Sequence, residues 1–218
     1  MNELTTMQLI TVWALPVIFA ITLHEVAHGW AALKFGDKTA LILGRLTLNP
    51  IKHIDPIGTV VVPLVLIVVG GFVFGWAKAV PVDTRNFKSP RSDMAWVAMA
   101  GPAANLVMAV FWAVITKLGT IMQASTPEIG MFLVYSGIAG VSINLILLVL
   151  NLIPIPPLDG SRVLSAFLPK KLAWQYNRMA PYGFFVLIGL LFLGVLTPLL
   201  MGPFNLLKTF LFSLVGLS

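Results

Sequence analysis

From Leu4 to Leu33 the chain carries a single formally charged residue, Glu25. Thirty residues of helix rise about 45 Å at 1.5 Å per residue, more than the ~30 Å hydrocarbon core of a bilayer. No basic residue precedes the stretch, and it is too long for the apolar region of a signal peptide, so it reads as a spanning helix. Further strong spans are expected over about 92–116, 129–152 and 181–200, and residues 203–217 are apolar but short for a crossing. Of the 218 residues, 58% are hydrophobic and 10% charged. A soluble domain carries about 25% charged residues, so a soluble globule is excluded, and so is a disordered chain. The expected fold is an all-α polytopic integral membrane protein. It has five to six hydrophobic segments in one domain, 1–218, held in the lipid bilayer of a cell (inner or plasma) membrane.

The connections have their own character. Residues 39–48 are short, β-compatible and broken by Gly44-Arg45, which suggests a small interfacial hairpin or an irregular loop. Pro56–Trp76 is uncharged but carries Gly58, Pro63, Gly70, Gly71 and Gly75, a composition expected of a re-entrant segment. Ser92-Asp93 looks like a helix cap, 117–128 like a turn, and 153–160 is too rich in proline to be helical.

The formal charge is +6, yet no stretch interleaves basic and aromatic residues as a nucleic-acid surface does. The excess fits cytoplasmic loops. With Pro56–Trp76 dipping in and out, 12 of the 14 basic residues fall on one side, leaving Lys117 and Lys208 opposite. That side is read as cytoplasmic. Cysteine is absent, which excludes disulfides, iron–sulfur clusters and cysteine nucleophiles.

The first span contains His24-Glu25-Val26-Ala27-His28. Positions four apart share one helix face, so both imidazoles can reach one metal ion. Glu25 is offset by about 100°, which puts its carboxylate beside a metal, where it can take a proton from attacking water. A carboxylate inside a lipid-spanning helix costs of order 2–3 kcal/mol on insertion scales, so it needs a purpose. Two histidines leave a zinc site one protein ligand short. Asp159, after Asn151-Leu-Ile-Pro-Ile-Pro-Pro-Leu, is one candidate and His53 its main rival. Asp37, Asp55, Asp83, Asp93, Glu3 and Glu128 are poorer ones.

Three motifs in this order, His24-Glu-Val-Ala-His28, Ala100-Gly-Pro-Ala-Ala-Asn105 and Asn151 to Gly160, resemble the site-2 proteases, zinc metallopeptidases that cut within membranes. The likeness covers roughly residues 8–165, without the PDZ or CBS domains of many relatives, and the stretch through Gly75-Trp-Ala-Lys78 looks like an insertion of a compact subgroup. The resemblance implies one zinc per chain held by His24, His28 and Asp159, with Glu25 as general base. It implies Asn151 as a residue positioning substrate or transition state, Gly101 and Asn105 as packing residues, and a transmembrane protein or peptide as substrate. Such a substrate must be unwound before water can attack. The edge of a 39–48 hairpin and free carbonyls near Pro154, Pro156 and Pro157 are the expected partners of its amides. The competing readings are a small metal transporter, which would want more intramembrane ligands, and a catalytically silent relative that binds membrane proteins.

Overall fold

The computed structural model of the chain describes residues 4–62, 64–65 and 75–217. Its helices are α1 Thr6–Lys34, α2 Thr39–Ile42, α3 Pro90–Met122, α4 Pro127–Leu152, α5 Asp159–Phe167, α6 Lys170–Asn177, α7 Gly183–Phe192 and α8 Leu196–Leu214. No strand occurs among the described residues. Thr5 starts α1 with a reciprocal cap: its Oγ1 accepts the Gln8 N–H (3.3 Å), and Gln8 Oε1 accepts the Thr5 N–H (2.8 Å). Helix α3 starts at Pro90, where a missing N–H goes unnoticed, and the Ser89 N–H donates to Asp93 Oδ2 (2.8 Å). It therefore begins ahead of the expected Ser92 cap, and it runs on to Met122, so the expected turn over 117–128 shrinks to the few residues before Pro127.

Helices α1, α3 and α4 are long and apolar enough to cross a membrane, and the stretch from α6 through α8, bent by 84°, makes a fourth candidate. The uninterrupted span expected over 181–200 is corrected here. Helix α7 ends at Phe192, Gly194 adopts φ +70°, and Leu196 opens a new helix. Hydropathy registers the apolar side chains on both sides but not the left-handed glycine between them.

The α3–α4 pair is the centre of the bundle. Ala109, Trp112, Ala113, Val141, Leu145 and Leu148 form one buried cluster with Phe204 and Leu211 of α8. Lipid offers no hydrophobic drive between helices, so close approach of small residues has to supply the contact. Gly137 lies against Thr116 and Gly140 against the Trp112 ring, each with no room for a Cβ. Outside, Ile10, Leu15, Ile18, Val107, Val110, Phe111 and Ile121 are exposed, a belt suited to hydrocarbon and not to water.

The expected hairpin over 39–48 is also corrected. Asp37 Oδ1 accepts the Thr39 N–H (3.0 Å) and so starts the short helix α2, which ends where Gly44 takes φ +62° and the Arg45 N–H donates to the Ala40 carbonyl (2.9 Å). Local capping bonds outcompete strand pairing here. Asp37 is fully buried and also accepts from the Thr39 hydroxyl, the Asp83 N–H (2.8 Å) and Asn86 Nδ2 (2.8 Å). Burial pushes its carboxyl up, but these donors outweigh it and hold the group below the usual carboxylate range.

Residues 75–83 cross the end of α1 as an irregular strip, apart from the start of a short turn at Asp83. The Trp76 N–H donates to the Gly58 carbonyl (3.1 Å) and the Lys78 N–H to the His53 carbonyl (2.9 Å). The re-entrant expectation for Pro56–Trp76 falls partly outside the described residues. Its described ends, at Gly58 and Trp76, are joined by that first bond. The Phe184 ring of α7 sits 5.5 Å from the Trp76 ring, and the Gly216 carbonyl after α8 accepts from Lys117 Nζ (2.8 Å) near the end of α3. Helices α7 and α8 together thus lead from the Trp76 end of the bundle to the Lys117 end.

Gly140→Leu would drive a side chain into Trp112, and overpacking of this kind costs about 1–3 kcal/mol. The melting temperature in detergent, followed by circular dichroism, should fall. Gly189→Leu, at a position facing open space, should leave it unchanged.

Candidate metal centre

Spacing along α1 puts His24 and His28 on one face, and their Nε2 atoms lie 3.0 Å apart. Asp159, the first residue of α5, brings Oδ2 to 3.2 Å from His24 Nε2 and 3.3 Å from His28 Nε2. The Asp159 oxygen is buried and makes no hydrogen bond among the described residues. The three atoms form a near-equilateral triangle. Zinc bonded at 2.0–2.1 Å in a tetrahedron separates its ligand atoms by ~3.3–3.4 Å, so the triangle has the size such a face requires.

The partners of the other ring nitrogens decide the tautomer. The Gly140 carbonyl can only accept, so Asn144 meets it with Nδ2 (2.8 Å). That turns Asn144 Oδ1 toward Asn105 Nδ2 (2.9 Å), which also donates to the Ala20 carbonyl (3.2 Å). Asn105 Oδ1 is left to accept from His24 Nδ1 (2.6 Å). His28 Nδ1 likewise faces the Val97 carbonyl (2.7 Å), which can only accept. Both imidazoles therefore carry hydrogen on Nδ1, and in their neutral form each turns an Nε2 lone pair toward Asp159. Three lone pairs converge with no donor between them, the donor set of a cation site.

Space at the centre is made by Gly101. A Cβ there would lie 2.6 Å from His24 Cε1 and closer still to the His28 ring. Glu25 is not one of the three clustered ligand atoms, and its Oε2 accepts the Val80 N–H at 2.7 Å. His53 takes no part in the cluster. It is buried with Nε2 on the Thr47 carbonyl (2.9 Å). Asn151 is half-buried, donates Nδ2 to the Leu147 carbonyl of its own helix (3.0 Å), and is hydrogen-bonded to none of the three.

The carbonyls expected to be free in the proline segment are in use at three of its positions. Ile153 accepts from the Ile155 N–H (2.8 Å), Pro154 from the Tyr176 hydroxyl (2.6 Å) and Ile155 from the Leu158 N–H (2.9 Å). The segment is a stiff bracket that delivers Asp159. Asn105, expected as a packing residue, instead holds His24, and Asn144 and Val97 join it as partners behind the two imidazoles. An amide inside an apolar span is itself a signal, since lipid leaves it no other partner. A backbone carbonyl such as that of Val97 leaves none.

Removing a partner behind a metal-ligating histidine weakens metal affinity about 10–100-fold. Asn105→Ala should lower zinc affinity by that order, read by competition with a chelator. Asp159→Ala should reduce zinc per chain more severely, because two imidazoles alone leave the site short of ligands.

Residues 12–121 and 117–194 match peptidase family M50. The chain is 40% identical over 175 residues to YwhC of Bacillus subtilis, spanning 79% of this chain and 76% of that protein. It is 34% identical over 202 residues to Rip2 of Mycolicibacterium smegmatis (92% and 73%) and 33% over 202 residues to Rip2 of Mycobacterium tuberculosis (92% and 73%). No solved structure matches the chain significantly. Similarity that runs through the metal cluster and most of the bundle around it places the chain in peptidase family M50, and it is an intramembrane zinc metalloprotease of the kind its three motifs resemble.

Proposed function

We propose that the chain hydrolyses peptide bonds in or beside the membrane-spanning segments of other membrane proteins, with His24, His28 and Asp159 as zinc ligands, Glu25 as general base and Asn151 positioning the substrate. The observation that carries this reading is the convergence of three acceptor atoms within 4.8 Å of one another, two from α1 and one from α5, beside Glu25, a carboxylate on α1 that accepts the Val80 N–H. YwhC and Rip2 are each named as candidate zinc metalloproteases, which supports the same metal here.

Zinc, when bound, supplies Lewis-acid polarisation of a carbonyl and makes water a stronger acid. The protein's own residues supply the rest. The Val80 N–H fixes Glu25 Oε2, so Oε1 is the oxygen left to take a proton from water and return it to the leaving amine. His24 and His28 are held in the tautomer that directs Nε2 inward, so neither competes for that proton. Asn151 has committed Nδ2 within α4, which leaves Oδ1 to accept from a substrate amide.

The orientation proposed is the one in which the metal end of the bundle faces the cytoplasm. His24 and Asp159 lie toward the end that carries Lys34, Lys38, Arg45, Arg85, Arg91 and Arg162, as surplus positive charge requires.

Glu25→Gln should keep zinc at the wild-type level yet lower cleavage of a synthetic transmembrane peptide by at least ~10²-fold, the usual worth of a positioned acid–base group. Cleavage near the wild-type rate would sink the assignment. Because the chain has no cysteine, single cysteines report topology without background. Those replacing Lys38, Arg85 and Lys170 should react with an impermeant thiol reagent from the cytoplasmic face, and one replacing Ser125 from the other. Labelling of the Arg85 position from outside would overturn the re-entrant reading of Pro56–Trp76.

A further inference from the structure

Arg45 is only 9% exposed and meets no carboxylate among the described residues. Its Nη2 donates to the Lys78 carbonyl at 2.7 Å, with the Ala79 carbonyl 3.4 Å away, and its buried Nε has no partner among the described residues. A guanidinium taken out of water and held only by carbonyls is a net cost to folding. Its burial therefore argues for a role other than stability.

The carbonyls it grips lie one step from the active site. The C=O of Ala79 and the N–H of Val80 belong to one peptide unit, and that N–H is the donor to Glu25 Oε2. A cation near the oxygen end and an anion at the hydrogen end polarise the unit in the same sense and strengthen both contacts. The surroundings fix each end. Arg45 is placed by the Gly44 turn and by its own N–H on the Ala40 carbonyl, the Lys78 N–H is braced by the His53 carbonyl, and Val80 is buried.

We propose that Arg45 is a positioning residue for Glu25: by gripping the Lys78 and Ala79 carbonyls it holds the Val80 N–H on one carboxylate oxygen and so fixes the other in its working direction. This rests on the reading of Glu25 as general base. It accounts for why an arginine is buried where no carboxylate among the described residues touches it.

The test uses the full zinc-loaded chain in detergent and a fluorogenic transmembrane peptide. Arg45→Gln should lower kcat roughly ten- to hundredfold, the scale of one hydrogen bond to a charged group, with KM, zinc per chain and melting temperature at wild-type values. Arg45→Lys should restore part of the loss. Val80→Pro removes the N–H itself and should reproduce the fall in kcat. The Arg45→Gln, Val80→Pro double variant should be no slower than the slower single, because both act through one contact. Multiplying losses in the double variant, a raised KM at unchanged kcat, or activity that merely follows zinc content or melting temperature would each overturn the proposal. Glu25→Gln separates the two readings. If it still cleaves, the general-base assignment fails and takes the role of Arg45 with it. If it is inactive while Arg45→Gln keeps the wild-type kcat, only the role of Arg45 fails.

Discussion

Hydrocarbon provides no water to complete a hydrogen bond, so a polar group inside this bundle is costly unless another part of the chain answers it. The run from the Gly140 carbonyl through Asn144 and Asn105 to His24 is the fullest expression of that demand. It crosses from α4 to α3 to α1, and each link has only one sense in which it can point. A backbone carbonyl at one end thereby dictates which nitrogen of an imidazole on another helix carries hydrogen. Packing of the three spans and orientation of His24 are the same set of contacts.

Helix α3 is the reference against which the site is built. Val97, Gly101 and Asn105 recur every four residues and face two histidines that are also four apart, running the opposite way. The middle position must be glycine because both rings close over it. The same helix reaches the third ligand indirectly. Arg91 donates to the carbonyls of Ser165 (3.0 Å), Ala166 (3.0 Å) and Leu168, at the end of α5 opposite Asp159. A shift of α3 along its axis would disturb all three residues of the candidate site at once.

How much of this was legible in the sequence depends on how far apart the interacting residues lie. His24, Glu25 and His28 were readable because one helical turn relates them, and the spans of α1, α3 and α4 because hydropathy accumulates over many residues. Asp159 lies more than a hundred residues away, and only the motif resemblance singled it out from His53. Features set by single residues were misjudged. Gly194 divides an apolar run that looked continuous, and Asp37 turns a β-compatible stretch into a helical turn. The Val80 N–H on Glu25 had no sequence signal at all, since any residue but proline can donate it.

Helix α1 carries both histidines and the carboxylate proposed as general base, yet it packs chiefly against α3 and α4 and exposes Met7, Ile10, Leu15 and Ile18 on its other side. The helix that bears the candidate site thus stands at the rim of the bundle. A substrate helix embedded in the same bilayer already shares its depth and its long axis, and needs only to drift sideways to meet it. Encounter becomes a search in two dimensions, governed by lateral mobility and crowding within the leaflet rather than by concentration in the aqueous phase.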